Sequence, residues 1–585
     1  MNVEAEAAYA KLITLQDGNF AEDYYNYAMV LKMNGKGDQA TVWVDKFFEL
    51  KPDDLRAKDD QVNRSELFNL SKDDGKFKIN PMGMNSNADD FGTSYFRNKV
   101  VFSSSRTASK KNYNWNRKSF LDLYIADVNE SQLKDADVFD KSINGKLHNG
   151  PASFSNDGNC MAFTKNNSNG GKENVIRLEI NFSTFKDGEW SKPESFSLNS
   201  LQYSVGHPSL SADGNTMYFA SDMPGGFGGV DIYKVTKSSG GTWGKAVNLG
   251  PKINTEGDEL FPFFEEKSGV LFFSSNGHFG LGGLDIFYCY IEGSMVGRIR
   301  NAGYPVNTQY DDFAGIVNDK LSSGYFSSNR SGGHGGDDIY GVDLLKPLDY
   351  GKKIQGVVKD DNGNALPEVF VKLSDDKDSV IETLTANTDG TFFFLVDSNK
   401  SFKLNGKKET YTEGNNIANT FGKEFIVIAD LTLLKKEEVV IQVIPDLTKA
   451  PSGTDLTKVS SLKNIYFDYD KYNIRRDAEV ELAKIILVLN QYPNMVVELE
   501  ANTDCRGTIA YNQILSDKRA NSSIKYIQQR ITNPSRITGK GYGKSKLING
   551  CECDGVVASE CSENEHQLNR RTEFIIVDES ITSAK

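Results

Sequence analysis

A pair of strand-like segments recurs five times between residues 65 and 348. The first segment of each pair is an apolar run centred on a phenylalanine, in order Phe102, Phe163, Phe219, Phe273 and Phe326. The second segment follows a polar, glycine-rich turn and begins, in order, at Asp122, Asn174, Asp231, Asp285 and Asp338. The two series keep step at intervals of 52 to 61 residues. Strand repeats of this length are typical of propeller blades, whose stacked sheets bury each other's faces, so we expect a five-bladed β-propeller over residues 65–348.

One repeat, PSLSADGNTMYFASD, resembles the WD40-like or PD40-type propeller repeats related to those of periplasmic Tol-system proteins. The turns GGFGGVD, GLGGLD and GGHGGDD admit two interpretations. They could bind a metal through their aspartates, or glycine could supply positive φ while aspartate caps the turn. We favour the second interpretation and expect no metal site.

Three further segments complete the expected organisation of the first 457 residues. Residues 1–62 carry two amphipathic helical runs around NGKG and resemble one tetratricopeptide (TPR-like) helix pair, with a helical cap on the next domain as the alternative. Residues 353–445 alternate apolar strands with turns such as DDNGNALP and resemble the carboxypeptidase regulatory-like β-sandwich. Residues 446–457 include Pro451, Ser452 and Gly453, which predict a linker.

Composition narrows the possible partners and compartments. The chain has 585 residues, 38% of them hydrophobic, which predicts several folded domains. A net charge of −13 repels phosphate backbones, so we expect no nucleic-acid partner. No apolar stretch approaches the roughly 20 residues of a membrane span. The polar start MNVEAEAAYA predicts either a cytosolic protein or numbering that begins after a removed export segment.

Four of the six cysteines fall in one C-terminal region and help to decide the compartment. They are Cys505, Cys551, Cys553 and Cys561. An even, clustered set favours structural disulfides in an oxidising compartment. A zinc site is the alternative, but zinc motifs usually contain C-x2-C, whereas the close pair here is C-E-C. The sequence does not give the connectivity.

The C-terminal region, residues 458–580, alternates strands and helices. Leu482, Ile485, Ile486 and Leu489 fall on one face of a predicted helix, which should therefore pack on a sheet. The combined motifs YFDYDK, TDCRG, YNQILSDKRA and NRR resemble the OmpA C-terminal, peptidoglycan-binding family. Two features depart from the family pattern. Ala501-Asn502 stands where many members have Gly-His, and the insertion CECDGVVASEC resembles envelope proteins of Bacteroidetes.

The OmpA resemblance implies a pocket for the diaminopimelate residue of a peptidoglycan stem peptide. That residue ends in an ammonium and a carboxylate on one carbon, so it needs an acceptor beside a planar donor fork. Asp504 would accept from the ammonium, and Arg519, fifteen residues later, would bind the carboxylate with two hydrogen bonds. By family position, the remaining members of the pocket would be Asn512, Asp468, Arg570 and Thr503. An ordinary surface salt bridge is the alternative for such a charge pair.

The order of the four parts resembles PorE-type proteins of type IX secretion and gliding in Bacteroidetes. That resemblance implies a periplasmic, peptidoglycan-associated protein at the outer membrane, where such proteins are commonly lipoproteins, with a PorP/SprF-like or other type IX secretion component as partner. The five histidines are scattered and form no HExxH pair, so we expect no enzyme, no catalytic residues and no cofactor. The alternatives are a propeller-centred glycan-binding receptor or hydrolase anchored to the wall, and a surface adhesin.

Overall fold

A computed structural model describes most of the chain. The described residues are 2–15, 20–106, 117–129, 132–167, 175–436, 446–459, 462–553 and 559–577. The expected strand start at Asn174 lies outside them, as do residues 437–445 of the expected sandwich and 578–580 of the expected C-terminal domain. The chain divides into two compact units. The first is Met1–Lys408 with Glu413–Leu433, and the second is Glu409–Thr412 with Leu434–Lys585. In the described part of the chain, no helix has the length and apolar character needed to cross a bilayer.

The first unit begins with helices α1 (Asn2–Thr14), α2 (Ala21–Met33), α3 (Gly37–Leu50), α4 (Leu55–Asn63) and α5 (Leu67–Leu70). Helices α2 and α3 pack on each other through small and aliphatic side chains that recur three or four residues apart. These buried residues are Ala28, Leu31, Ala40 and Val44. Gly35 has a φ of 72° in the turn between the two helices, a conformation that glycine adopts without strain.

Residues 77–344 form five antiparallel sheets within the described chain. Their strands are β1 (Phe77–Pro81), β2 (Asp90–Phe96), β3 (Lys99–Ser104), β4 (Asp122–Asn129), β5 (Gln132–Val138), β6 (Asn149–Phe154), β7 (Cys160–Asn166), β8 (Leu178–Lys186), β9 (Glu189–Trp190), β10 (Glu194–Ser195), β11 (Val205–Leu210), β12 (Thr216–Ser221), β13 (Asp231–Thr236), β14 (Val247–Asn248), β15 (Glu259–Glu265), β16 (Val270–Ser275), β17 (Asp285–Glu292), β18 (Met295–Val296), β19 (Arg300–Asn301), β20 (Asp312–Val317), β21 (Ser323–Ser328) and β22 (Asp338–Leu344).

The repeated phenylalanines lie on the second strand of each sheet and are buried. The first strands of the five sheets contact one another in a closed order, β2 to β6 to β11 to β15 to β20 and back to β2. The chain closes this order by adding its earliest strand to its last sheet, because β1 pairs antiparallel with β22, with Phe77 opposite Leu344. We call this arrangement the five-sheet ring.

Aromatic side chains fill the centre of the five-sheet ring. The imidazole of His207 stacks on Phe261 with ring centroids 3.8 Å apart, and Phe261 also contacts Phe313 at 5.1 Å. Phe91 contacts Phe313 at 5.8 Å. A cavity of about 40 Å³ remains beside these rings. That volume holds no more than a few water molecules.

Residues 352–432 add two more sheets to the first unit. Their strands are β23 (Lys352–Lys359), β24 (Phe370–Ser374), β25 (Val380–Thr385), β26 (Thr391–Val396), β27 (Ser401–Lys407), β28 (Gly414–Asn419), β29 (Ile426–Ile428) and β30 (Leu431–Thr432). One sheet has the order β26-β23-β29, with β30 also on β23, and the other has the order β25-β24-β27-β28. Alternate residues of β23 are buried, as expected for a strand with one face on a core.

In its described residues, the second unit is an α/β domain with one four-stranded sheet. Its elements are α6 (Leu456–Val459), β31 (Ile465–Tyr466), α7 (Arg476–Gln491), β32 (Val497–Asn502), α8 (Ile509–Gln528), β33 (Ile537–Gly543), α9 (Glu563–Asn569) and β34 (Arg571–Ile576). The sheet order is β31-β34-β32-β33, with β32 and β33 parallel. The predicted apolar face of α7 is buried in one core with β32 and β34. The core therefore fixes the carboxyl end of β32, from which the loop to α8 starts.

Candidate functional site

Asp504 lies in the loop between β32 and α8 and is buried. The backbone holds this loop at both ends. Thr503 N–H donates to the carbonyl of Gly543 over 2.8 Å, and the Thr508 hydroxyl accepts from Tyr511 N–H as the N-cap of α8. The Lys544 ammonium also donates to the carbonyls of Cys505 and Gly507. The carboxylate is therefore presented by a fixed loop.

Two guanidinium groups bind the Asp504 carboxylate. Arg570 Nη1 donates to Oδ2 over 2.8 Å, and Arg506 Nη2 donates to the same oxygen over 2.6 Å. Within the described residues, Oδ1 accepts only from the backbone N–H of Arg506, over 3.1 Å. Oδ1 thus retains the capacity to accept a further hydrogen bond.

Glu563 completes a closed cluster of charges. It accepts from Arg506 Nη1 over 2.9 Å and from Arg570 Nη2 over 2.6 Å. The four residues Asp504, Arg506, Glu563 and Arg570, hereafter the Asp504 cluster, contain two positive and two negative charges. Glu563 lies in the first turn of α9, whose N-cap Ser562 accepts from Glu565 N–H. The cap fixes the helix start that supplies Glu563.

The Asp504 cluster sets the ionisation of its buried carboxyl. Burial raises the pKa of Asp504, but hydrogen bonds from Arg506 and Arg570 outweigh it, and the net pKa lies below its ordinary value of 3.8. The carboxylate is therefore charged at neutral pH. The stability that this charge contributes is present above the ordinary pKa and is lost as pH falls through the lowered one.

Replacing Arg506 by methionine is expected to raise the pKa of Asp504. The variant keeps the burial that disfavours the charge and loses the largest interaction that favours it. A pH titration of carboxyl-labelled aspartate by NMR, with Asp504→Asn to assign the signal, measures the shift. Arg530→Met, a matched control two residues after the far end of α8, should leave the titration unchanged. An unchanged or lower pKa in Arg506→Met would contradict the prediction.

Arg519 is buried in the middle of α8, and among the described residues its guanidinium contacts only backbone oxygens and an aromatic ring. Its nitrogens donate to the carbonyls of Lys471 over 2.8 Å, Asp468 over 3.0 Å and Asn502 over 3.5 Å. The guanidinium also lies 5.0 Å from the centroid of the Phe467 ring. Across the described residues, no carboxylate forms an ion pair with it.

The buried position of Arg519 disfavours its positive charge. Burial, followed by repulsion from Arg570, lowers the pKa of Arg519 to about 10, although Asp504 and Asp470 oppose this shift. A guanidinium has five N–H groups, and the three hydrogen bonds to carbonyls found among the described residues leave two of them unused. A buried cation with free donors beside the balanced Asp504 cluster favours an incoming carboxylate.

The other predicted pocket residues make different kinds of contact in the structure. Arg570 belongs to the Asp504 cluster, as described above. The Asn512 amide is buried and donates to the Arg506 carbonyl over 2.8 Å, which supports the loop. The Thr503 hydroxyl donates to the Asp504 carbonyl over 3.0 Å. Asp468 contributes its carbonyl to Arg519, while its carboxylate is half-exposed and pairs with Arg475 over 3.0 Å.

Two disulfides attach the cysteine-bearing insertion to this site. Cys505, the residue after Asp504, pairs with Cys553, and Cys551 pairs with Cys561, one residue before the cap of α9. Within the described residues, no group of three or more histidine, cysteine or acidic side chains could hold a metal ion.

Arg506 and Glu563 are site residues that the sequence reasoning missed. The signal for Arg506 was its position two residues after Asp504, from which an arginine can fold back onto the carboxylate. Glu563 gave no such signal, because 57 residues and the cysteine insertion separate it from Arg506.

Comparison with known proteins gives a family match for most of the second unit's described residues. Residues 466–559 match the OmpA family. The C-terminal part of the chain is an OmpA-family domain. A 101-residue segment is 34% identical to the peptidoglycan-associated lipoprotein of Mesorhizobium japonicum, covering 17% of this chain and 60% of that protein. A 122-residue segment is 34% identical to the photosystem I P700 chlorophyll a apoprotein A2 of Gloeobacter violaceus, covering 20% of this chain and 13% of that protein.

The OmpA-like domain also matches solved structures. The peptidoglycan-associated lipoprotein of Burkholderia pseudomallei is 23% identical, with a TM-score of 0.18, and the match covers 20% of this chain and 91% of that one. The chain spans less than two thirds of the length of the two curated relatives named above.

Proposed function

We propose that this protein is a non-enzymatic tether that binds diaminopimelate-type peptidoglycan through its OmpA-like domain. The family match and the similarity to a protein named peptidoglycan-associated lipoprotein support this ligand class. The observation that carries the proposal is Arg519, a buried guanidinium beside Asp504 with no carboxylate partner among the described side chains.

The chemistry of the ligand fits the two unused binding groups. The ammonium at the tip of diaminopimelate donates to Oδ1 of Asp504, the oxygen that accepts only one backbone hydrogen bond within the described chain. The neighbouring carboxylate accepts from the free N–H groups of Arg519 and neutralises its buried charge. The ligand therefore needs both charges, and a lysine side chain offers only the ammonium.

Binding of the full chain to insoluble peptidoglycan tests the proposal. We expect Asp504→Asn to weaken binding to diaminopimelate-type sacculi by roughly 10- to 100-fold, because a hydrogen bond to a charged group contributes roughly 1.5–3 kcal/mol. Wild-type protein should bind lysine-type sacculi much more weakly than diaminopimelate-type sacculi. Co-sedimentation over a range of protein concentrations measures both differences.

Asp446→Asn is the matched control, because its carboxylate bonds only to Thr448 within the described residues, away from the Asp504 cluster. This variant should bind as the wild type does. Equal binding by Asp504→Asn and the wild type would reject the pocket.

We also propose a wider role for the rest of the chain. The five-sheet ring would be a five-bladed propeller, the α2–α3 pair a TPR-like element, and residues 352–432 a carboxypeptidase regulatory-like sandwich. Together they would link the cell wall to an outer-membrane secretion or gliding complex of type IX, through a PorP/SprF-like component. The closed strand order and the sequence resemblances support this proposal. Co-purification of the native protein from envelopes, with its neighbours identified, tests it.

The alternative functions have less support. A receptor or hydrolase centred on the five-sheet ring needs room for a ligand on the axis, where aromatic rings leave a cavity of about 40 Å³. A surface adhesin would expose the sandwich strands to protease on intact cells, whereas a periplasmic tether would protect them.

A further inference from the structure

Three partly exposed tyrosines stand around the Asp504–Arg519 pocket and are not needed to form it. Tyr469 is 61% exposed, Tyr511 is 47% exposed and Tyr472 is 44% exposed. Isolated apolar side chains at a surface are ordinary. These three differ because each is held by a charged residue in or beside the pocket. We call them the tyrosine platform.

The buried arginine of the pocket also anchors the platform. Tyr469 and Tyr472 belong to the loop between β31 and α7. Arg519 donates to the carbonyls of Asp468 and Lys471, each of which directly precedes one of these tyrosines. The same guanidinium that would bind the stem-peptide carboxylate therefore fixes the backbone under both rings.

Contacts from neighbouring elements orient the rings. The guanidinium of Arg506, from the Asp504 cluster, lies 4.8 Å from the centroid of Tyr469. The Tyr511 hydroxyl hydrogen-bonds to the Asp470 carboxylate, in the same loop as Tyr469. The Lys518 ammonium lies 5.4 Å from the centroid of Tyr472. A ring held in place loses little conformational entropy when a ligand packs on it.

We propose that the tyrosine platform binds the sugar rings of the glycan strand to which the stem peptide is attached. This inference rests on the proposed peptidoglycan-binding function. A pyranose presents an apolar C–H face and an edge of hydroxyl groups. Tyrosine offers an apolar ring with a polar tip, and the Asp470 carboxylate beside it accepts from hydroxyl groups. The platform adjoins the pocket for the tip of the peptide, so one ligand would contact both.

Comparison of two ligands by calorimetry on the full chain tests this inference. One is the free tripeptide L-Ala-D-Glu-diaminopimelate, and the other is the same tripeptide on its N-acetylglucosamine–N-acetylmuramic acid disaccharide. We expect wild-type protein to bind the disaccharide form about tenfold more tightly. In the double variant Tyr469→Ala/Tyr472→Ala, we expect this ratio to fall to about one, with affinity for the free tripeptide within about twofold of wild type.

Two variants control for structural effects. Tyr511→Phe keeps the ring and loses only the hydroxyl, so most of the preference for the disaccharide form should remain. Tyr526→Ala removes a tyrosine similarly covered by an arginine, Arg530 at 3.9 Å, at the far end of α8, and should preserve the full ratio.

The outcomes separate the platform from the pocket. A wild-type ratio of one, or a double variant that weakens both ligands equally, would overturn the platform and leave the peptide pocket standing. Failure of wild-type protein to bind either ligand would refute the pocket and, with it, the platform.

Discussion

Replacing Arg519 by methionine is expected to lower affinity for diaminopimelate muropeptides by roughly 100-fold or more while leaving the OmpA-like domain folded. The variant loses the only buried cation of the described pocket that lacks an anionic partner. Removing one member of a buried, charge-assisted contact costs roughly 2–5 kcal/mol of binding free energy. Calorimetry with the free tripeptide measures the loss.

The free energy of unfolding should change little in this variant, because methionine and water can replace the packing and the hydrogen bonds of Arg519. Methionine fills most of the volume over Phe467 without the cost of a buried charge. Two of the carbonyls that Arg519 serves, those of Asp468 and Lys471, lie in a loop with exposed side chains, where water can replace the lost donors. We therefore expect the free energy of unfolding to change by less than about 1 kcal/mol.

Arg536 is the matched control, because it is also buried and also bonds to carbonyls. Its Nη1 donates to the carbonyls of Leu489, Tyr492 and Met495. Arg536 directly precedes β33, so these contacts lie at the end of the strands opposite the pocket. These carbonyls are in the buried core, so Arg536→Met should cost roughly 1–3 kcal/mol of stability and leave binding unchanged. Loss of binding in both variants, in proportion to their stability, would show that Arg519 is structural.

The fold was predictable where its signal is local. The strand that contains each repeated phenylalanine could be predicted because a buried strand is a short apolar run. All five rings are buried. The pairing of β1 with β22 could not be predicted from the sequence, because it joins residues 259 (Pro81 and Tyr340) to 267 (Phe77 and Leu344) positions apart and no periodicity specifies it. The closure of the ring depends on this distant pairing, whereas its other four described sheets pair strands that are close in sequence.

The site residues also divide into those that the sequence indicated and those that it did not. Asp504 and Arg519 could be chosen because the motifs TDCRG and YNQILSDKRA, which contain them, resemble the OmpA family pattern. Asp468 was chosen by its family position, yet it is its carbonyl that contacts Arg519, and a sequence carries no direct sign of a backbone contact. Glu563 contacts Arg506 across 57 positions, and the disulfides Cys505–Cys553 and Cys551–Cys561 tie the loop to the segment before α9, which local sequence does not indicate.

Removing the Cys505–Cys553 disulfide is expected to destabilise the OmpA-like domain more than removing Cys551–Cys561. The first closes a loop of 48 residues and the second a loop of 10. Loop closure restricts the unfolded chain, and the chain-entropy relation gives about 4 kcal/mol for the longer loop and about 3 kcal/mol for the shorter. We expect that order when paired serine variants are compared with wild type.

Native-state hydrogen exchange in the full chain measures this difference without unfolding the first unit. Amides in the central strand β32 exchange through global opening of the domain, so their protection reports its free energy of unfolding. Cys160→Ser is the control, because Cys160 is a free thiol in the five-sheet ring and should leave this protection unchanged. If the shorter loop proves more stabilising, folded-state contacts of the insertion with α9 must outweigh the entropy of the unfolded chain. The insertion would then act mainly by holding Glu563 and Arg570 against Asp504.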